Sequence, residues 1–550
     1  MSLILGPLLR RVVGDRATVW VETAAPGTVE VRAGGAVGAA RTFTAFGRHF
    51  ALVVVDDLPE DAATPYQVHF GGEQVWPPPD YAYPPPVIRT RTTGAAVRLV
   101  FGSCRQASPN VMPGLPPDAL DAYASRLART GQDWPDALLL LGDQVYADDP
   151  SPVTRSWLRR RRRRRPPPVP APDDQVVDFE EYARLYRESW TDPDVRWLLS
   201  TVPSAMICDD HEIIDDWNTS AAWRERMLKQ PWWRRRISAG LASYWVYQHL
   251  GNLPPDQLGA DPLYPAVVSA EDASEVLREF GGRADDDRSG YRWSYAFDVG
   301  RTRIVVLDNR CGRQLTPGQR AMLPDAQWEW FADQVRAGGY DHLVVGSSLP
   351  WLLPFAVHHL ERAVSALAER PSRPVAALAE RARQAVDLEH WPAFGTSFEA
   401  LAALLGQAAT GAFGLPPCSI TVVSGDVHHS YVARAALSGA PIHQVTCSPV
   451  HNRVPLAMRA VFAAAWSGWA SAAMGAVDRL VTPLPTRVGW TKLAGPYFST
   501  AVSTLVHSGQ SAGVTVEGTG GTGELAPVAR VSLAEPDHVP DGAAGSRSPR

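Results

Sequence analysis

The chain has 550 residues, too many for one ordinary hydrophobic core, so two or more domains are expected. Apolar content of 45%, charged content of 20% and a net charge of −5 fit a globular protein and argue against a general nucleic-acid binder. Five scattered cysteines do not make a disulfide framework, and 48 prolines with 44 glycines speak against a long helical array.

At the start, apolar residues precede Arg10 and Arg11, the reverse of the order in a secretory signal. No uncharged apolar run reaches the roughly 18 residues of a spanning helix. The expectation is a cytoplasmic protein with no membrane partner. Up to about residue 93 the runs at 17–23, 28–32, 50–55 and 66–70 alternate or carry β-branched residues, with turn clusters between them. They predict a small antiparallel sandwich of fibronectin or immunoglobulin type, a scaffold without a catalytic signature. The Pro-rich segment 77–86 reads as a linker or surface strap.

From Val97 the pattern changes. A strand-like run at 97–101 ends in Gly102-Ser103-Cys104-Arg105, and a helical stretch follows at 118–129. Four leucines, 138–141, then stop at Gly142-Asp143-Gln144-Val145-Tyr146-Ala147-Asp148-Asp149. The run 203–208 stops at Asp209-Asp210-His211-Glu212, and 303–307 stops at Asp308-Asn309-Arg310. The run 342–346 stops at Ser347-Ser348, and 420–423 at Ser424-Gly425-Asp426-Val427-His428-His429. Buried-type strands that each end in a polar cluster predict an α/β sheet with a site along the carboxyl edge.

Within this second domain, taken as residues 94–535, two insertions stand out. In the first, 150–177, seven consecutive arginines run from Arg159 to Arg165 and are followed by Pro166-Pro167-Pro168. Like charges repel and prolines bar a helix, so a disordered or extended loop is expected, either a solvated linker or a contact for a polyanion. The second, 357–405, reads as exposed helices able to cap a cleft. The Ala- and Gly-rich stretch 461–477 reads as a packed helix, short β runs are expected from about residue 498, and the tail 536–550 is expected to be disordered.

The strand ends together offer Cys104, Asp143, Tyr146, Asp209, Asp210, His211, Asp426, His428 and His429. Carboxylate, imidazole, thiolate and phenolate form a ligand set of mixed softness, suited to a transition metal beside a harder ion. A carboxylate shared by two such ions serves an in-line displacement at phosphorus, and a histidine that is not a ligand can protonate the leaving oxygen. A serine or cysteine nucleophile is the rival, but Gly102-Ser103-Cys104 lacks the flanks of a nucleophile elbow.

The order Gly-Ser-Cys, Gly-Asp-x-x-Tyr, Asp-Asp-His-Glu and Ser-Gly-Asp-x-His resembles the alkaline phosphatase D (PhoD-like) metallophosphatases, over residues 97–449. The resemblance implies a four-layer α/β/β/α fold behind a β sandwich, acting on phosphomonoesters and phosphodiesters with two metal ions. It implies Fe3+ with Ca2+ in some members and Zn2+, Mn2+ or Mg2+ in others. Carried over, Cys104 and Tyr146 are ligands to ferric iron, Asp143 bridges the two ions, and Asp426 and His428 complete the set. Asp210 falls where the wider superfamily places an asparagine ligand, with Asp215 or Asp216 as alternatives. His211 is the implied proton donor and Arg105 the implied phosphate grip. Exported members carry a twin-arginine signal, from which this chain departs. The resulting expectation is a dinuclear phosphoesterase acting on a small phosphoester. The alternative is a non-catalytic phosphate- or nucleotide-binding protein that keeps the metal cage.

Overall fold

A computed structural model of the chain describes residues 2–91, 94–370, 372–482 and 486–535; the expected disordered tail lies outside them. Strand alternation builds the first unit. In Thr28–Ala33, Val29, Val31 and Ala33 are buried while Thr28 and Arg32 face solvent, as a half-buried pleat requires. One sheet runs Leu3–Val13, Arg16–Thr23, Arg48–Val55, Phe43–Ala45, and the other Ala36–Arg41, Thr28–Ala33, Ala63–Phe70, Glu73–Trp76. Val19, Val21, Val31, Val53, Val68 and Phe70 fill the space between them. The Pro-rich strap lies along Pro193–Thr201, with Tyr83 stacked on Trp197 and the indole N–H of Trp197 donating to the Pro84 carbonyl.

The sandwich is anchored to the second unit by a buried cation. The Arg10 guanidinium donates to the carbonyls of Ser204, Tyr247 and Gln248 and to Asn252 Oδ1. Carbonyl oxygens at the C-terminal end of a helical segment carry partial negative charge, which suits a buried guanidinium.

Two sheets face each other in the second unit. The first has Ser204–Ile207, Ala137–Leu141 and Val97–Gly102 in parallel, continued antiparallel by Ala501–Ser508, Ser511–Thr519 and Leu525–Ala534. The second has a parallel core of Thr302–Leu307, His342–Ser347, Ser419–Ser424 and Ile442–Thr446, flanked by Tyr295–Val299 on one side and Ser430–Ala435 and Trp490–Tyr497 on the other. The period of two divides the side chains of the second sheet. Ile304, Val306 and Val344 join the core shared with the four leucines, whereas Val305, Leu307, Leu343 and Val345 pack against the helices Asp325–Arg336 and Gly395–Ala409. The helix Ala119–Thr130, capped by the Asp118 carboxylate, covers the other face of the first sheet. The layers are therefore α/β/β/α, behind a small all-β unit.

Three expectations need correction. Residues 159–165 are not an extended loop but the end of the helix Pro152–Arg164. The repulsion is offset because that helix turns Arg161 and Arg162 onto the acidic first turn of Phe179–Trp190. Arg162 holds Glu181 through Nε at 3.1 Å and Nη2 at 2.8 Å, and Arg161 pairs with Asp178, Glu180 and Glu181. The prolines act only after the helix has ended.

Insertion 357–405 is not uniformly exposed either, since Gly395–Ala409 buries Phe398, Leu401 and Leu405 against the second sheet. The stretch 461–477, last, is not one packed helix. Leu456–Ala465 and Gly468–Val481 meet at 72° and leave many apolar side chains exposed.

Candidate metal centre

Three of the parallel strands, Val97–Gly102, Ala137–Leu141 and Ser419–Ser424, stop where the chain turns sharply. Cys104, Asp143, Asp426 and His428, each just beyond a strand end, have φ of 59°, 52°, 65° and 50°. Non-glycine residues rarely adopt this left-handed region, and such strained positions gather at functional sites. Two glycines permit the close approach of the turns. A Cβ on Gly142 would lie 2.7 Å from Asp209 Cβ, and one on Gly425 only 1.8 Å from Ser103 Oγ.

Glu212 ties two of these turns together. Its carboxylate accepts from the backbone N–H groups of Asp143 at 3.1 Å, Gln144 at 2.7 Å and Asp209 at 2.8 Å. The result is a tight group: Asp143, Asp209, Asp210 and Asp426 each offer an oxygen within 4.8 Å of the others, and Asp143, Asp210 and His211 form an overlapping trio. Asp143 and Asp210 are common to both.

Buried carboxylates this close repel and desolvate one another, so they call for cations. Burial, reinforced by Asp209, Asp210 and Glu212 and opposed by His211, pushes Asp143 well above the usual carboxylate range. Asp143 Oδ1 and Asp209 Oδ2 are buried and have no hydrogen-bond partner among the described residues. These orphaned oxygens fit cation ligands. Tyr146 donates its hydroxyl to Asp143 Oδ2 at 3.2 Å and accepts from Asn452 Nδ2 at 3.0 Å. Cys104 Sγ lies 3.2 Å from both Ser103 Oγ and Ser448 Oγ; burial, with Asp143 and Asp426 nearby, raises its thiol well above the ordinary value. Burial pushes the partly exposed His428 down to about 4, which keeps its imidazole neutral.

His211 sits on the rim. Asp148 holds its Nδ1, and its ring packs on Tyr146 with centroids 4.3 Å apart. Burial disfavours the imidazolium, but Asp148 and Asp210 outweigh it and hold His211 well above the usual histidine value. Asp215 and Asp216 shape the same turn through their backbone N–H groups, which donate to Asp148 and Asp210.

Arg105 does not reach the cluster. Its buried guanidinium donates through Nε to Asp118 Oδ2 at 2.7 Å and through Nη1 to the Ser189 carbonyl at 2.6 Å. The guanidinium at the centre is Arg310, fully buried and paired with Asp209 and Glu389, its Nη2 lying 3.6 Å from Asp210 Oδ1 and 3.7 Å from Asp426 Oδ1. Glu389, opposed by burial but held by Arg310 and Arg313, is drawn down to about 2. His390 Nε2 lies 2.9 Å from Asp426 Oδ2, and its Nδ1 lies 2.6 Å from Glu361 Oε1. Asp308-Asn309-Arg310 was visible as a strand end, but Glu389 and His390 lie in an insertion and follow no strand. The histidines without an assigned role are engaged elsewhere: His451 Nδ1 with the Ala107 carbonyl, His358 with Thr486, His359 with Asp478 and His429 with the Val427 carbonyl.

Facing sheets with outer helices, and a carboxylate cluster at their strand ends that could hold a cation, fit the class of metal-dependent phosphoester hydrolases. The PhoD-like phosphatase model matches residues 100–473, and the chain belongs to that family. Residues 1–88 match a domain of unknown function, DUF7800. A solved structure described as that of PhoD superposes with a TM-score of 0.57 at 12% identity, covering 96% of this chain and 89% of that one. Purple acid phosphatase PPD1 from yellow lupin (Lupinus luteus) seeds superposes with a TM-score of 0.51 at 10% identity, covering 96% of this chain and 74% of that one. At such identities the likeness speaks for the fold alone. No curated protein sequence matches the chain.

Proposed function

We propose that the chain hydrolyses small phosphoesters, mono- or diesters, at a dinuclear centre held by Cys104, Asp143, Tyr146, Asp210, Asp426 and His428. The observation that carries this reading is the four-carboxylate group at the strand ends with its orphaned oxygens. Asp143 and Asp210 belong to both overlapping ligand groups, and the bridging role is assigned to Asp143, whose second oxygen Oδ1 has no hydrogen-bond partner among the described residues. A buried thiol and phenol beside it support ferric iron at one position, and the oxygen-rich remainder suits a hard ion such as Ca2+ at the other. Bound there, the two cations would offset the carboxylate charge, polarise the phosphoryl oxygens and make water a nucleophile near neutral pH.

The protein's own part is positioning and proton supply. Asp148 fixes Nδ1 of His211, leaving Nε2 to carry the proton toward the leaving oxygen. As the P–O bond to the attacking water forms and that water loses a proton to solvent, the ester P–O bond breaks and the His211 proton passes to the departing alkoxide; solvent then reprotonates His211. Arg310, paired with Asp209 and Glu389, is the guanidinium that limits the negative charge of the cluster.

The test is turnover of an aryl phosphate and its diester before and after chelation, with metal added back. Loss and recovery are expected; full turnover in metal-free protein would sink the reading. The rival, a phosphate- or nucleotide-binding protein without catalysis, predicts no turnover in any metal form and unchanged ligand binding in His211→Ala.

A further inference from the structure

The helices Leu456–Ala465 and Gly468–Val481 present a face unlike the rest of the surface. Leu456 is 78% exposed, Trp469 73% and Leu480 82%, with Met458, Val461 and Val477 also exposed. Between residues 456 and 481 the only charged or hydroxyl-bearing residues are Arg459, Ser467, Ser471, Asp478 and Arg479. So many large apolar tips exposed on two consecutive helices mark an interaction surface, not ordinary scatter.

The patch is held from behind. Ala465 and Ala470 pack on Ala356, and Asp478, the acidic member, is buried and occupied by His359 and Arg362. The charge left facing outward is therefore positive. Arg453 and Arg479 are exposed, Arg459 partly so, and Asp478 is the sole acidic residue between Asp426 and Glu517. From neighbouring elements, Glu399 accepts from the Arg487 backbone N–H beyond the end of the second helix, and the exposed Glu369 precedes Arg370, which donates to the Val481 carbonyl; the two helices themselves expose no acid.

An apolar face carrying tryptophan and leucine, rimmed by arginine and lacking exposed acid, is complementary to the headgroup and acyl boundary of an anionic bilayer. We propose that this bent helix pair docks the protein on an anionic phospholipid surface, lying in the interface without spanning it. This departs from the expectation of no membrane partner. The placement beside the centre is direct: His429, next to His428, stacks on Phe462 of the first helix at 4.7 Å. The two-helix length is not needed to cross a bilayer, and the bend of 72° suits helices lying flat.

Co-sedimentation of the full chain with phosphatidylcholine vesicles, with and without phosphatidylglycerol, tests the proposal. Binding is expected only with the anionic lipid and should weaken by about tenfold or more as salt shortens the Debye length. Trp469→Ser combined with Leu480→Ser should lower vesicle binding at least as far, Arg479→Glu should lower it in part, and both variants should keep turnover of a soluble aryl phosphate. The binding readout does not depend on activity, so it stands apart from the hydrolase reading. Absence of vesicle binding overturns the proposal, as does binding untouched by the variants. A dimer in sedimentation velocity that Trp469→Ser with Leu480→Ser dissociates, without lipid binding, would assign the face to a second copy of the chain instead.

Discussion

Asp148 grips His211 through Nδ1, with its two carboxylate oxygens at 2.9 and 3.0 Å. The same carboxylate accepts from the backbone N–H of Asp215 at 2.8 Å, so one side chain sets both the ring and the turn that carries it. In the sequence Asp148 was merely a polar loop residue. If His211 delivers a proton from Nε2, removing the charge behind it should weaken the donor without disturbing the cluster. Asp148→Asn is expected to lower kcat by about 10- to 100-fold with little change in KM. Elemental analysis should give wild-type metal content; a KM effect alone would mean Asp148 only supports the loop.

Tyr146 gives the iron assignment its own signature. A phenolate on ferric iron absorbs visible light by ligand-to-metal charge transfer, whereas one on Ca2+, Zn2+ or Mg2+ does not. Protein purified with its native metals should therefore be coloured, and Tyr146→Phe should shift and weaken the band, leaving the charge transfer of the Cys104 thiolate, while retaining most of the fold. A visible spectrum unchanged in Tyr146→Phe would remove this residue from the ligand set. Asp143→Ala should go further and lower the metal-to-protein ratio.

The strand ends were readable because a fully buried strand leaves a distinctive apolar run, and the polar residues directly after it must face a cleft. Cys104, Asp143, Asp209, Asp210 and Asp426 were all found this way. For Arg105, sequence position gives the turn, not the direction of a long side chain; its Nε and Nη1 go to Asp118 and the Ser189 carbonyl. Glu389 and His390 were missed because they enter from an insertion whose contacts span large sequence separations, as with His390 and Asp426. The arginine run was misread because its neutralising acids, Asp178, Glu180 and Glu181, lie downstream on another helix.

If Arg105 is structural, its loss should appear in stability and not in substrate affinity. Its pair with Asp118 is almost wholly buried, and Asp118 also caps Ala119–Thr130 by accepting from Leu120 and Asp121. Breaking a buried pair leaves an uncompensated charge, typically costing about 3–5 kcal/mol. Arg105→Ala is expected to lose about that much in denaturant unfolding, with KM for an aryl phosphate unchanged at a temperature where it remains folded. A raised KM with full stability would restore the phosphate-gripping role.

His249 sets a pH dependence of its own. It is fully buried at the end of Trp245–His249, packed edge-on to Trp293 and Tyr291 at 5.0 and 5.4 Å, and neither ring nitrogen has a hydrogen-bond partner among the described residues. Burial, reinforced by Arg292, Arg10 and Arg11, pushes it down to about 3. The folded state therefore keeps this imidazole neutral below pH 6.5, where the unfolded chain takes up a proton. Its contribution to stability is intact above the ordinary histidine value and declines as pH falls from 6.5 toward about 3. Once well inside that window the loss runs at about 1.4 kcal/mol per pH unit. His249→Phe should make the slope of unfolding free energy against pH shallower by about that amount between about pH 5 and 4, whatever its effect near pH 8. An unchanged slope would mean that His249 is already protonated in the folded protein, or that the helix end opens to let water reach it.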